Sequence, residues 1–271
     1  FDFMYNLWGR SNYTCHTHHT DCQTGGEMSR LSKSKCSDCP YIKAKKEFTT
    51  STVGLTNYHM HITNHLHQEE MMEQRLKHKK NVLVVDEAHA FENVFCTFVS
   101  VKVDSYTLKQ LGFMPNEAQV VLDRMSEMQQ KSEFVTWLVS DFYTDLIAKE
   151  EIMKQHAEQS SGQKSLEFMR KAQQVAGMMY KIDYFDEQHG QDPDNWLFQR
   201  GVDGRGEPRC ELVPIWGRKL IFDTIWKHYD FVLLLSGTIV NPATFMYMNG
   251  IPHDRAHYFE LGSPFPVDNS P

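Results

Sequence analysis

Two continuous apolar runs at distant points of the chain have the composition of strands in a parallel sheet. Val82–Val85 (VLVV) and residues 231–235 (FVLLL) do not alternate with polar residues, which predicts strands buried on both faces. Residues 196–200 and 210–214 flank a glycine-rich turn at 203–204, a pattern that predicts a β-hairpin. The apolar pattern therefore places strands in both halves of the chain.

The segment between these strands has helical periodicity. Residues 116–182 are predicted to form long helices, with Asn116 as an N-cap and Gly162 in a polar break. Four apolar residues recur at helical spacing in the last of these helices: Phe168, Ala172, Val175 and Met179. A β-branched run at 51–57 precedes a further helical stretch, and the acidic stretch 183–194 is predicted to be a solvated loop. The order indicates one α/β domain interrupted by a helical insertion.

The first fifty residues are rich in Cys, His and Lys and lack a regular apolar pattern. Four of the six cysteines lie there: Cys15, Cys22, Cys36 and Cys39. Four thiolates can ligate a 4Fe-4S cluster or a tetrahedral Zn²⁺, and the spacing alone does not decide between them. The interleaved residues His16, His18 and His19 keep zinc open. The sequence predicts a small module built around a metal centre, whereas Cys96 and Cys210 are isolated and predicted to be buried.

Composition limits the class of protein. A chain of 271 residues with 41% apolar content can bury one large core or two ordinary ones. The net charge of −7 gives no overall basic footprint, so contact with nucleic acid requires a local basic patch. We find neither an apolar run of membrane-spanning length nor a signal-peptide pattern, which predicts an intracellular protein, in cytoplasm or nucleus, with no membrane partner.

The strand Val82–Val85 is followed by the tetrad Asp86-Glu87-Ala88-His89. Ligands bind at the carboxyl ends of parallel strands. In a nucleotide hydrolase, one acid at such an edge holds Mg²⁺ through its water shell while the next orients the attacking water. Asp86 and Glu87 fit these roles, although an apolar strand that ends in two solvated acids is common. Ala88 and His89 complete a tetrad that resembles motif II of the superfamily 2 helicases.

Four further segments resemble the iron-sulfur helicases of the DinG/XPD type. Residues 39–46 (CPYIKAKK) are similar to the segment that closes the iron-sulfur domain. Residues 56–60 (TNYHM) resemble an Asn-His strand end, although Tyr58 separates the two residues. Residues 235–238 (LSGT) resemble motif III, and 261–265 (LGSPF) resemble the segment leading to the second motor domain. In this order, around a helical insertion, they extend the resemblance over nearly the whole chain.

The resemblance implies an α/β fold, in which a RecA-like parallel sheet of a partial first motor domain carries an iron-sulfur cysteine module and an α-helical Arch insertion. It divides the chain into the cysteine module (1–50), the motor part with the DEAH tetrad (51–103), the Arch (104–195) and the motor return (196–271). It also implies an ATP-dependent 5′ to 3′ DNA helicase that uses Mg²⁺, ATP and a 4Fe-4S cluster on single-stranded or forked DNA.

The resemblance assigns roles to individual residues. Asp86 and Glu87 are expected to serve Mg²⁺ and water activation, and His89, Ser236 and Thr238 to relay the nucleotide state. The cluster ligands are expected to be Cys15, Cys22, Cys36 and Cys39. A basic segment that includes Arg30, Lys33 and Lys35 surrounds the last two cysteines. Its expected DNA-binding residues are Lys43, Lys45, Lys46 and Tyr41, and Phe48 is a further candidate for stacking on bases.

A phosphate-binding loop requires a Gly-Lys pair, and the sequence contains none. We therefore expect N-terminal and C-terminal motor segments to be missing and the chain alone to hydrolyse ATP poorly. Two alternatives stay open: a zinc-stabilised nucleic-acid-binding module without catalysis and, ranked last, a helicase relative used as a nuclease. Three histidines, His61, His65 and His67, are predicted to be surface or capping residues.

Overall fold

The structure, a computed structural model, describes residues 3–31, 38–77 and 81–262. The strands are β1 Met4–Asn6, β2 Thr14–Cys15, β3 Thr20–Asp21, β4 Val53–Leu55, β5 Val82–Val85, β6 Val101–Val103, β7 Trp196–Val202, β8 Pro208–Pro214 and β9 Phe231–Leu234. The helices are α1 Cys22–Leu31, α2 Pro40–Thr50, α3 Tyr58–His67, α4 Glu69–Leu76, α5 Phe91–Val99, α6 Ser105–Gln110, α7 Pro115–Glu127, α8 Lys131–Trp137, α9 Tyr143–Gln159, α10 Gly162–Gln191, α11 Arg218–Thr224 and α12 Pro242–Met248.

The chain forms two compact units. The first comprises Phe1–Lys79 and Asn93–Trp216, and the second comprises Lys80–Glu92 and Gly217–Pro271. In the described parts of both units, every helix is too short or too polar to cross a lipid bilayer. The predicted domain boundaries at 50, 103 and 195 remain predictions, because compactness alone does not define a motor domain or an Arch.

The second unit contains the two apolar runs as a parallel pair. Strands β5 and β9 align from Val82 beside Phe231 to Val85 beside Leu234. The predicted burial on both faces is wrong, because Val82 is 58% exposed and Val84 55% exposed, while Val85 is buried. Among the described residues each strand has a single neighbour, so most of the apolar surface of the pair faces solvent.

The core of the second unit lies beside the end of this strand pair. The rings of Phe91 and Trp226 are 4.9 Å apart, and the indole N–H of Trp226 donates to the carbonyl of Asn249 at 2.7 Å. Gly250 follows with φ +69°, and a Cβ atom there would lie 2.0 Å from the carbonyl oxygen of Arg218. Only glycine fits this close approach between the first residue of α11 and the segment that follows α12.

In the first unit, the N-terminal segment packs around a small apolar core. Strand β1 pairs in parallel with β4. Leu7, Ala44 and Phe48 are buried together, with half-buried side chains such as Tyr41 packed against them. The predicted β-branched run at 51–57 is thus a strand, and the helical stretch predicted after it is α3 and α4.

The predicted helical region is helical, but its ends differ from the prediction. Helix α7 begins at Pro115 with Met114 as its N-cap, not Asn116, because proline suits the first helical position. The carboxylate of Glu117 accepts the Met114 N–H at 2.7 Å. A π-helical segment, Leu138–Phe142, joins α8 to α9.

Helix α10 continues through residues predicted as a loop. It continues to Gln191 because Phe185 is fully buried, with its ring 4.9 Å from that of Trp196. One buried aromatic position outweighs the acidic residues around it. The predicted break before α10 is confirmed, with Gly162 at φ +58°, but Met178 is buried where Met179 was predicted.

The predicted hairpin is confirmed as β7 and β8, which pair antiparallel from Trp196 beside Pro214 to Val202 beside Pro208. Strand β6 adds a third, antiparallel strand on the other side of β8. Its three residues are too few to give a periodic signal in the sequence.

Candidate nucleotide site and cysteine centre

The acidic tetrad lies at the carboxyl end of the parallel pair. Backbone hydrogen bonds alternate between the strand ends: Leu235 N–H donates to Val85 O at 2.8 Å, and Ala88 N–H donates to Leu235 O at 2.9 Å. The tetrad is therefore fixed to the residues that follow β9. The position matches the sheet edge where α/β proteins bind ligands.

The two acids are exposed at this edge, and the backbone turns sharply between them and the next residue. Glu87 has φ 50° and ψ 41°, in the left-handed region, and leads into a 3₁₀ turn at Ala88–Ala90. Its N–H donates to the Asp86 carboxylate at 3.0 Å. A non-glycine residue in this region is strained, and such strain concentrates at functional sites.

His89 connects the tetrad to the Ser-Gly-Thr segment. Its Nδ1 atom lies 2.9 Å from the hydroxyl of Ser236 and 3.3 Å from the Glu87 carboxylate. The Ser236 hydroxyl also accepts the Thr238 N–H at 3.1 Å and lies 3.3 Å from the Thr238 hydroxyl. The five residues predicted for the nucleotide site thus lie together. Glu87, His89, Ser236 and Thr238 form one chain of polar contacts, and the Asp86 carboxylate joins it by accepting the Glu87 N–H.

The chemistry of this edge fits a magnesium-nucleotide complex. Mg²⁺ keeps several waters and is held by one or two carboxylates together with substrate phosphates. An exposed aspartate such as Asp86 is sufficient for that arrangement. Within residues 3–31, 38–77 and 81–262, we find no group of three or more His, Cys, Asp or Glu side chains able to hold a metal ion by themselves.

Three of the four clustered cysteines are described, and two have their sulfurs in contact. Cys22 begins α1, Cys39 precedes α2, and their Sγ atoms are 3.4 Å apart. Cys15 is buried against Gly25, where an added Cβ would lie 2.4 Å from the Cys15 sulfur. Cys36 lies outside the described residues, together with Lys33, Lys35 and the Ser-Pro-Phe segment at 263–265.

The two sulfurs in contact differ in acidity. Burial, and then the neighbouring Cys39, raises the pKa of Cys22 to about 11. Burial opposes ionisation of Cys39 as well, but backbone N–H groups of Ile42 and Tyr41 and the Cys22 thiol lower its pKa. Arg10 hydrogen-bonds Cys22 and lies near Cys39, a contact that sequence reasoning missed because an isolated arginine carries no motif. In the described residues these cysteines therefore form a pair of sulfurs beside a cation, and they make no group of three or more side chains able to hold a metal ion.

The basic helix α2 exposes only some of its predicted DNA-binding residues. Lys43 and Lys46 are exposed, whereas Lys45 donates to the Gln68 side chain at 2.6 Å. Tyr41 is half-buried, with the Arg10 guanidinium 5.5 Å and the Lys45 amine 6.0 Å from its ring centroid. Phe48 belongs to the core, so the prediction that it stacks on bases is wrong.

The histidines of α3 are not mainly surface residues. His61 and His65 are buried, with ring centroids 4.7 Å apart, and His67 lies against the Tyr180 ring at 3.8 Å. Burial, with a contribution from Arg75, lowers the pKa of His61 to about 4. The surface prediction is wrong for His61 and His65, because this helix packs its histidine face inward.

Residues 11–108 match the family model DEAD_2. The matched segment includes the clustered cysteines, the basic helix and the acidic tetrad. Over this segment, the match supports a helicase-type domain with a nucleic-acid function. No curated protein matches the chain.

Proposed function

We propose that this chain is part of an ATP-dependent DNA helicase of the DinG/XPD type that moves 5′ to 3′ on single-stranded DNA. One observation carries the proposal: the Nδ1 atom of His89 lies 2.9 Å from the hydroxyl of Ser236, a residue 147 positions away in the sequence, and 3.3 Å from the carboxylate of Glu87. Contact between the two helicase-like motifs is what a motor site requires, and the match over residues 11–108 agrees with it.

The residues at the sheet edge divide the work of hydrolysis. Asp86 would hold the magnesium of Mg-ATP, which when bound would neutralise charge on the phosphate oxygens. Glu87 orients the attacking water and accepts its proton. His89 contacts both Glu87 and Ser236. When the nucleotide leaves and the Glu87 side chain shifts, His89 would therefore move the segment that follows β9. The proposed relay thus links the nucleotide state to a strand end.

The motor proposal is tested with Glu87→Gln in the native protein. We expect ATP hydrolysis and unwinding to fall at least about 100-fold while ATP binding persists, because the amide cannot accept the proton. Glu73→Gln, at an exposed position in α4, is the matched control and keeps full activity. Unwinding is measured on duplexes with a 5′ or a 3′ overhang. Undiminished hydrolysis by Glu87→Gln, or preference for the 3′ overhang, contradicts the proposal.

We also propose that Cys15, Cys22, Cys36 and Cys39 hold a 4Fe-4S cluster. The described support is the contact of Cys22 with Cys39 and the cation beside them. Such a cluster, when bound, ties the starts of α1 and α2 together and fixes the basic helix relative to the rest of the unit. Lys43 and Lys46 are then available to the DNA backbone, with the half-buried Tyr41 beside them and Lys45 held by its hydrogen bond to Gln68.

One observation favours zinc as the second candidate. The 3.4 Å between the Cys22 and Cys39 sulfurs is near the about 3.8 Å expected between two thiolates on one tetrahedral Zn²⁺. A 4Fe-4S cluster would also take its thiolates from these cysteines, but a contact this close between two of them favours a single metal ion. A zinc-stabilised nucleic-acid-binding module follows if the centre is zinc and hydrolysis is absent.

The identity of the centre is tested on protein purified without oxygen. We expect iron and sulfide with broad visible absorbance, and loss of both in Cys39→Ser. Cys210→Ser, at an isolated buried cysteine of β8, keeps them. Zinc without iron in the unmodified protein overturns the cluster and leaves the motor test unaffected.

A further inference from the structure

The first unit contains a cavity that neither the acidic tetrad nor the cysteines line. Its volume is about 560 Å³, within the range of small-molecule sites. It lies among helices α3, α5, α6 and α10 and strands β6 and β8. The residues that line it include His67, Phe98, Gln110, Gln174, Lys181 and Tyr184. All these residues belong to the first unit, whereas the residues of the candidate motor site belong to the second.

Lys181 is the cation of the cavity that is not neutralised. The other two are paired, Lys102 with Asp104 at 2.9 Å and Arg209 with Glu211. Lys181 is half-buried and donates to the carbonyl of Ser100 at 3.3 Å, and the acid that acts on it electrostatically, Glu211, is paired with Arg209. Burial lowers its pKa, opposed by Glu211. An ammonium with donors to spare favours an anionic group in the cavity.

The wall around Lys181 is suited to a flat ring. Its amine lies 5.7 Å from the ring centroid of Phe98, and the aromatic residues Tyr184 and His67 also line the cavity, with the His67 ring packed against that of Tyr180. At the rim, the Gln174 amide donates to the Gln110 carbonyl at 3.1 Å. Each amide keeps both donor and acceptor capacity, which suits the mixed polar edge of a heterocyclic base.

We propose that this cavity binds a nucleoside monophosphate, with its phosphate at Lys181 and its base against the aromatic wall. The same chemical group exists as a free nucleotide and as one unit of a single-stranded nucleic acid, and the experiment below separates these sources. The site needs neither Mg²⁺ nor the acids at 86 and 87, so it stands or fails independently of the motor.

The test uses variants chosen to keep the fold. Gly177 lines the cavity, and a Cβ added there meets no atom within 4 Å, so the position accepts a side chain and we expect Gly177→Leu to occupy part of the cavity. Gly190, on the same helix and equally open, is the matched control as Gly190→Leu. Lys181→Met removes the cation, and Lys164→Met, at an exposed position of α10, is its control.

Two probes are titrated with EDTA present and with Asp86→Asn in the background, which disables the motor site. One is 2-aminopurine riboside monophosphate, and the other is a ten-nucleotide oligo-dT with one 2-aminopurine. We expect fluorescence quenching in the parent protein, at least about tenfold weaker binding in Gly177→Leu and Lys181→Met, and unchanged binding in both controls. Quenching of the free nucleotide identifies that source, and quenching of the oligonucleotide alone identifies the strand.

Three results overturn the proposal. They are quenching of neither probe, binding by Gly177→Leu and Lys181→Met equal to that of their controls, and displacement of the probe by ribose 5-phosphate as effectively as by AMP. The last result leaves only an anion site without base recognition. Circular dichroism of each variant shows that a loss of binding is not a loss of fold.

Discussion

At the scale of single residues, the left-handed backbone of Glu87 is a measurable strain. Asparagine adopts this conformation more readily than glutamine, because its short side chain bonds the local backbone. Glu87→Asn and Glu87→Gln remove the same charge, so only the strain differs between them. We expect the Asn variant to be more stable by about 0.5–1 kcal/mol, measured by urea unfolding. Equal stability of the two would show that the turn is unstrained.

His61 makes the first unit sensitive to acid. Its pKa falls from an ordinary 6.5 to about 4 in the folded protein, so between these values the unfolded chain binds a proton that the folded chain does not. Stability is therefore full above about pH 6.5 and decreases as the pH falls toward 4, by up to about 3 kcal/mol. His65 and Arg75 are the neighbouring groups that share this environment.

We expect His61→Gln to flatten this pH dependence, because glutamine does not titrate. Urea unfolding at about pH 7 and about pH 5 measures it, with amide exchange of α3 as a local reporter. His156→Gln, at an exposed position of α9, is the control and keeps the parent slope. A slope unchanged in His61→Gln assigns the acid sensitivity to other groups.

At the scale of elements, the packing of α11 against the end of α12 depends on Gly250. Gly250 and Gly206 both have positive φ, but an added Cβ at Gly206 meets open space. Gly206→Ala therefore costs the backbone strain alone, about 1 kcal/mol, whereas Gly250→Ala adds a collision with backbone and costs about 3 kcal/mol or more. Thermal unfolding measures the difference, and similar losses at the two positions would refute the close approach.

The elements also show what the sequence pattern can determine. The strands β5 and β9 and the β7–β8 hairpin were predictable, because apolar runs and turn residues are local signals, whereas the direct pairing of β5 with β9 was not predicted. The extension of α10 was not, since it depends on Phe185 meeting Trp196 across a turn of the chain. Burial of β5 was also mispredicted, because an apolar run indicates preference for a core without showing that one covers it.

The same distinction applies to the candidate site. Asp86, Glu87, His89, Ser236 and Thr238 were selected from short motifs, and the structure brings them together. Their catalytic roles and the four-cysteine cluster remain predictions. Arg10 and the cavity around Lys181 carry no sequence signal, because they arise from residues that only the fold makes neighbours.

At the scale of the whole molecule, the exposed strand pair should control association. Val84 and Leu233 are more than half exposed on β5 and β9, and uncovered apolar strands pair with other chains. We expect the 271-residue chain to associate reversibly in sedimentation velocity. The double variant Val84→Lys and Leu233→Lys should sediment as a monomer. Val120→Lys, at an even more exposed apolar position on α7, should still associate, and a monomeric parent chain would refute this expectation.

Helix α10 has a mechanical consequence. Near its start, Arg170 and Gln173 hydrogen-bond Thr24 and Glu27 on α1, the helix that begins with Cys22. From Gln173 to the last residue, Gln191, the helix runs for about 27 Å at the usual rise per residue. A tilt of the helix by about 5° at its contacts with α1 would displace Gln191 by about 2 Å. A change in the position of α1 at the cysteines is therefore expected to shift the end of α10, about 27 Å away.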